Sequence, residues 1–264
     1  MIHIGTSGFS YKDWEGPFYP QGLPDGDKLA FYAQEFDTVE VNFSFYRVPT
    51  PGTLVRMARK TPPGFVFTIK AHQEMTHKRE DNTQVFEDFR RALEPWLLEG
   101  RLGCVLAQFP SSFHNVPLNR EYLRLFRRRL PDLPLVVEFR HREWVTEETF
   151  GLLRELGVGF CCVDQPRFRS LIPPIAVATA DIAYVRFHGR NAQKWWRHNE
   201  AWERYDYTYS EEELRPWVPK IRHLDEQARE TFVFANNHWQ GQAIDTARKL
   251  KRLLGLDRPQ RTAP

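Results

Sequence analysis

Ile182-Ala183-Tyr184-Val185-Arg186-Phe187-His188 is the stretch whose reading decides the fold. Its residues alternate, with Ala183, Val185 and Phe187 on one face and Tyr184, Arg186 and His188 on the other. A period of two is the mark of a strand. The same parity recurs on both sides of it. Val39 and Val41 oppose Glu40 and Asn42; Phe65, Phe67 and Ile69 oppose Val66, Thr68 and Lys70; Leu135, Val137 and Phe139 oppose Val136, Glu138 and Arg140. Strands of a parallel sheet are covered on both faces, so a charge inside one needs a reason. A closed barrel supplies it, with large apolar side chains turned out against helices and the polar set turned in.

Working outward, eight such runs are separated by segments of helical period. The strands are Ile2–Gly5, Thr38–Asn42, Phe65–Lys70, Cys104–Phe109, Leu135–Arg140, Phe160–Asp164, Ile182–His188 and Phe232–Asn236. The spacing of apolar residues predicts helices over Lys28–Phe36, Thr53–Arg59, Val85–Leu98, Glu121–Leu130, Glu147–Leu156 and Ala243–Leu254. Ser210-Glu211-Glu212-Glu213 is a capping box opening one more helix toward Gln227. Gln165–Asp181 holds Pro166, Pro173 and Pro174 without an apolar stripe, so the sixth helix is weak or missing. The chain of 264 residues is close to the ~250 that a barrel needs. The fold expected is therefore α/β, a single (β/α)₈ TIM barrel over residues 1–256, with a long lid-like insertion after the seventh strand and a disordered tail over 257–264. An open doubly wound sheet is the fallback.

A formal net charge of +3 is small for this length and neither demands nor forbids a polyanionic partner. Cys104, Cys161 and Cys162 are odd in number, and two are adjacent in one strand, so a disulfide framework is not expected. No signal-like segment opens the sequence and no apolar run reaches ~20 residues, which points to a cytoplasmic protein without membrane contact.

Glu40, Lys70, Glu138, Arg140, Arg186 and His188, with Asn42, Gln108, Asp164 and Asn236, all fall at the carboxyl ends of their strands. In this fold active sites are built at that mouth. Mutual neutralisation of three acids by three bases is the inert alternative, but a buried ion network contributes little net stability over apolar packing. The ring is therefore read as a ligand site.

Gly5-Thr6-Ser7-Gly8-Phe9-Ser10-Tyr11-Lys12-Asp13-Trp14 with Phe18-Tyr19-Pro20, Glu40-Val41-Asn42 with Phe45-Tyr46-Arg47, Phe67-Thr68-Ile69-Lys70 with Thr76-His77, and Gln108-Phe109-Pro110 form an ordered series of blocks. Glu138-Phe139-Arg140-His141 with Trp144, Arg186-Phe187-His188-Gly189-Arg190 and Phe234-Ala235-Asn236-Asn237-His238 complete it. Together they resemble the YecE-like family, a domain of unknown function. Ala235 stands where that family often has an aromatic. The resemblance implies a TIM barrel, grouped near the xylose-isomerase and type IV apurinic endonuclease barrels, and supplies no reaction.

Gly5-Thr6-Ser7-Gly8 lacks the Walker spacing, and either contacts an anion or is a plain turn. Asn236 and Asn237 lead toward the last helix, with Arg186, His188 and Arg190 alongside from the seventh strand and its loop; loops after strands seven and eight often hold phosphate. In 191–209, Trp195, Trp196, Trp202, Tyr205, Tyr207 and Tyr209 alternate with Lys194, Arg197, His198 and Arg204, a pattern for a base or sugar face, or for a lid packed on the rim. Cations among the acids disfavour a metal at the mouth, so no cofactor is expected. The reading is an enzyme, hydrolase or isomerase, acting on a phosphorylated or nucleotide-like substrate. Glu40, Glu138, Lys70 and His188 would be catalytic, and Asn42, Gln108, Arg140, Asp164, Arg186, Arg190, Asn236 and Asn237 would hold substrate or anion. The alternatives are a non-catalytic nucleic-acid-binding protein related to endonuclease-type barrels and an inert ion-paired scaffold.

Overall fold

The computed structural model describes residues 1–256; the expectation for 257–264 lies outside them. Eight parallel strands run β1 (Ile2–Thr6), β2 (Thr38–Val41), β3 (Val66–Lys70), β4 (Leu102–Gln108), β5 (Leu135–Glu138), β6 (Val158–Asp164), β7 (Ile182–Phe187) and β8 (Glu230–Ala235). They are paired in the order β1-β8-β7-β6-β5-β4-β3-β2. The two ends meet through a single parallel bridge, Ser7 to Glu40, with Gly8 N–H donating to Glu40 O at 2.8 Å. The sheet is a nearly closed, TIM-like barrel. Gly5 permits that approach, since a Cβ there would lie 2.3 Å from Thr38 O.

The returning helices are α1 (Lys28–Tyr32), α2 (Pro51–Arg59), α3 (Thr83–Leu98), α4 (Pro117–Arg129), α5 (Glu147–Leu156), α6 (Glu211–Leu214), α7 (Trp217–Gln227) and α8 (Gln242–Leu254). They bury Leu29, Tyr32, Ala33 and Phe36 around α1 and Phe86, Phe89, Ala92, Leu93 and Trp96 on α3, while the apolar Val85 and Leu97 at the ends of that stripe are not buried. Boundaries shift by a residue or two in several elements, and three helical segments differ more. The α1 segment tightens into turns after Tyr32, although Phe36 N–H still reaches Tyr32 O at 3.1 Å. The α4 helix starts four residues early because Pro117 occupies its first turn, where a missing N–H costs nothing. Ser210 does make its capping box with Glu213, but the helix stops at Leu214 and restarts at Trp217. Pro216 lies at that break, and proline cannot continue the hydrogen-bond ladder.

No helix lies between β6 and β7, as the prolines of that segment require. Cys104, Cys161 and Cys162 are buried free thiols. Among the described residues no helix is long and apolar enough to cross a membrane.

Candidate functional site

Strand register decides which side chains share the barrel interior, because residues paired across parallel strands point to the same face. Glu40 pairs with Thr68, Gln108 with Glu138, Val163 with Arg186, and Arg186 with Phe234. Lys70, Arg140, His188 and Asn236 follow by parity. The interior then forms one connected network. Thr68 and the Tyr184 hydroxyl are 3.0 Å apart, and Tyr184 donates to Glu40 Oε2 at 2.7 Å. Arg186 spans the two acids, donating from Nη2 to Glu40 Oε1 at 2.7 Å and from Nη1 to Glu138 Oε2 at 2.6 Å. Glu138 Oε1 also faces Arg140 Nη2 at 3.0 Å and His188 Nε2 at 3.1 Å.

Charges in this network are fixed by their neighbours. Burial alone would push the Glu138 carboxyl up, but Arg140, Arg186 and His188 outweigh it and hold Glu138 well below the usual carboxylate range. Burial brings His188 down to about 4, beyond what Glu138 restores, so its ring is neutral near pH 7. A neutral ring beside an ionised acid must donate through Nε2. Its Nδ1 therefore accepts from Asn236 Nδ2 at 2.9 Å. Glu40 and Glu138 are both fully buried with every oxygen engaged. They hold Arg186, Arg140 and His188 in place.

Lys70 is the group left over. Its ammonium stacks over the Phe45 ring, 4.2 Å from the centroid, and among the described residues no carboxylate reaches it within 4.0 Å. Burial and the neighbouring Arg186 and Arg140 charges, against the pull of Glu138 and Glu40, bring it down to about 7. Lys70 lines two adjoining clefts of about 620 and 330 Å³, which also share Phe45, Gln108, Arg140 and Tyr205. Gln108 donates its amide to Phe109 O at 2.8 Å. Asn42, on the wall of the larger cleft, has a buried Oδ1 with no partner. His77, brought down to about 4 by burial and then by Lys70, Arg140 and Arg79, faces the smaller cleft with Arg204.

Three expected site residues lie elsewhere. Asp164 pairs with Phe187, which places it on the outer face of β6. There it takes a two-pronged bond from Arg190 at 2.7 and 2.8 Å, and bonds from Tyr209 and Trp217 at 2.7 Å each. Arg190 is spent in that cluster. Asn237 turns outward too, donating to Tyr207 O and Thr246 Oγ1 at 2.8 and 2.9 Å. The backbone amides proposed for anions are also taken. In the glycine-bearing first loop Thr6, Ser7 and Gly8 donate to Tyr32, Ala235 and Glu40. After β8, Gln240 N–H donates to Asp13 Oδ2 at 2.6 Å, so a carboxylate of the chain already sits before α8.

Phe45, His77, Arg204 and Tyr205 were not picked out as site residues by strand parity, since none lies in a strand. The segment after β7 folds back over His188, with Trp195 and Tyr205 ring centroids 6.3 and 6.4 Å from it. Of its six aromatics only Trp196 stands mostly exposed; Trp202 stacks on Trp239 at 3.7 Å. At the floor of the mouth Glu40 and Glu138 are taken up by Tyr184, Arg186, Arg140 and His188, and among the described residues Glu200 is a further carboxylate on the wall of the larger cleft. Histidine and carboxylate donors meet instead on the outer rim, at His114, His141 and Glu143.

The model of a family described as "Protein of unknown function DUF72" matches residues 3–264. The chain is 32% identical to the UPF0759 protein YunF of Bacillus subtilis over 97% of its own length and 96% of that protein. It is 24% identical to the UPF0759 protein YecE of Escherichia coli K12, over 84% and 81% respectively. A crystal structure of a DUF72 family protein from Thermotoga maritima superposes with a TM-score of 0.89 at 42% identity, covering 97% of this chain and 99% of that one.

Proposed function

The chain belongs to the DUF72 family, and from that premise we propose that it is an enzyme acting on a small phosphorylated or nucleotide-like substrate in the clefts at the barrel mouth. Lys70 exchanges the proton, being poised near neutrality where a general base or acid works best. Arg140, with Arg204 across the smaller cleft, holds the anionic group. Asn42, Gln108 and Asn236 orient the rest of the substrate through their amides. Glu40, Glu138, Arg186 and His188 form a preorganised base beneath them. Hydrolysis and isomerisation both suit this set.

The observation that carries this reading is Lys70 without a carboxylate partner. With both acids matched by two arginines and His188 neutral, protonated Lys70 leaves this inner ring one positive charge in excess. A half-buried lysine without a carboxylate partner is costly, and a ligand anion would relieve it. Free, buried thiols support a reducing, cytoplasmic setting.

Calorimetric titration with inorganic phosphate, pyrophosphate and a nucleoside 5′-monophosphate tests it. Binding of at least one, weakened about tenfold or more in Lys70→Met, is expected, as for loss of a charge-assisted bond. Folded protein that binds none of them, or a Lys70→Met variant with unchanged affinity, overturns it. Packing of the aromatics after β7 against the chain itself supports a small substrate over a nucleic acid. An oligonucleotide bound through many phosphates would lose roughly 10³-fold or more between low and moderate salt, and a small anion far less.

A further inference from the structure

We propose that His114, His141 and Glu143 form a binding site for a late first-row divalent cation, for which Zn²⁺ is the simplest occupant, on the outer rim of the barrel apart from the Lys70 clefts. His114 lies in the loop after β4; His141 and Glu143 lie in the loop after β5. One donor atom from each residue falls within 4.8 Å of the other two. Glu143 Oε2 is 3.0 Å from His114 Nδ1 and 3.5 Å from His141 Nδ1. Ligands of a tetrahedral zinc with bonds of about 2.0–2.1 Å stand about 3.4 Å apart. The arrangement is therefore close to a coordination sphere before any ion enters, and two imidazoles with one carboxylate are a donor set that suits zinc.

His141 Nδ1 accepts the Glu143 backbone N–H at 3.4 Å, and the backbones bearing these donors are otherwise held by groups outside the donor set. Phe109 and Phe113 stack at 4.0 Å, Phe139 and Trp144 at 4.2 Å, and Phe113 and Trp144 at 5.3 Å. Trp144 is fully buried and donates its indole N–H to Phe113 O at 2.6 Å. His114 thus directly follows one member of an aromatic stack, and Glu143 directly precedes another. Asn115 Nδ2 donates to Glu143 O at 2.9 Å, joining the two loops, and Asn119 Nδ2 donates to His114 O at 2.8 Å, fixing the first loop against α4. Two cations reach this corner and both are occupied: Arg120 by Asn115 and Glu148, and Arg79 by Asn119 and the Phe113 ring. His114 and Glu143 are exposed, which leaves an ion the open side it needs for a water or a ligand atom. Bound there, the cation would clip the loop after β4 to the loop after β5.

The test is calorimetric titration of the chelator-treated full chain with Zn²⁺, with Co²⁺ absorption as a second readout of nitrogen and oxygen ligands. One Zn²⁺ per chain is expected, together with a rise in melting temperature. His114→Ala and His141→Ala should each weaken binding about tenfold or more, and the double variant should abolish it. His223→Ala, at an exposed histidine on α7, should change nothing. Circular dichroism melting confirms that each variant is folded. Absence of saturable Zn²⁺ binding overturns the proposal, as does affinity that survives in the folded double variant. Neither outcome bears on Lys70, whose phosphate titration is run without metal.

Discussion

Lys70 and Arg140 line the same clefts, yet Arg140 reaches a carboxylate, Glu138 at 3.0 Å, while among the described residues Lys70 reaches none. That asymmetry separates the residues that hold the mouth together from the one it leaves available. Four members of the ring of charges pair with one another, and the fifth, half-buried Lys70, lines both clefts without a carboxylate partner among the described residues.

Replacing Lys70 should stabilise the protein while removing its ligand. Lys70 titrates near 7 in the folded chain and well above that when unfolded. Between those values only the unfolded chain keeps the proton, so this group makes stability rise with pH across that window and imposes its full penalty below about 7. Lys70→Met should therefore raise the melting temperature more at pH 6 than at pH 9, and lose phosphate binding. Equal melting shifts at the two pH values would show that Lys70 is not desolvated.

Glu138→Gln should do the reverse. It keeps the shape of the side chain but leaves Arg186 and Arg140 without their shared negative charge. Breaking a buried pair from one side costs about 3–5 kcal/mol. Urea unfolding of the variant should show a loss of that order; a loss below about 1 kcal/mol would mean that water reaches the pair.

Asp164→Asn should cost a comparable amount, about 3–5 kcal/mol, since one carboxylate serves Arg190, Tyr209 and Trp217. Because that cluster lies on the outer face of β6, phosphate affinity should be unaltered. A drop in affinity in a variant that remains folded would join the two regions functionally.

Acid sensitivity should report on His188. Its folded value of about 4 lies below that of an unfolded histidine. The unfolded chain then takes up a proton first, and stability is lost as pH falls from about 6.5 toward 4. His77 shares the same window. In denaturant unfolding measured from pH 7 to pH 4, a His188→Gln variant, with no ring to titrate, should show a shallower decline than the parent. An identical slope would assign the effect to other groups.

Much of this architecture was legible because period-two parity survives in the sequence. Val39 against Glu40, or Val185 against Arg186, announces both strand and facing. Parity failed at Asp164, where Cys161-Cys162-Val163 gives no polar contrast, so a carboxyl-end position was mistaken for an inward one. Which acids are spent could not be read either, since Arg186 chooses its partners across 48 and 146 positions of chain. Phe45, His77 and Arg204 come from turns and loops, where no periodicity marks a direction. The His114, His141 and Glu143 group carried only a faint signal, a histidine and an acid two apart with a second histidine in the preceding loop.

The stacked indoles of Trp202 and Trp239 have a use beyond packing. They join the segment that follows β7 to the loop that follows β8, 3.7 Å apart and 13° from parallel. Rings that close couple their electronic transitions and add a paired band to the ultraviolet dichroism. Anything that pries the cover off the barrel must part them and erase that band. The molecule thus carries a built-in optical gauge of opening, readable without a label and before any substrate is known.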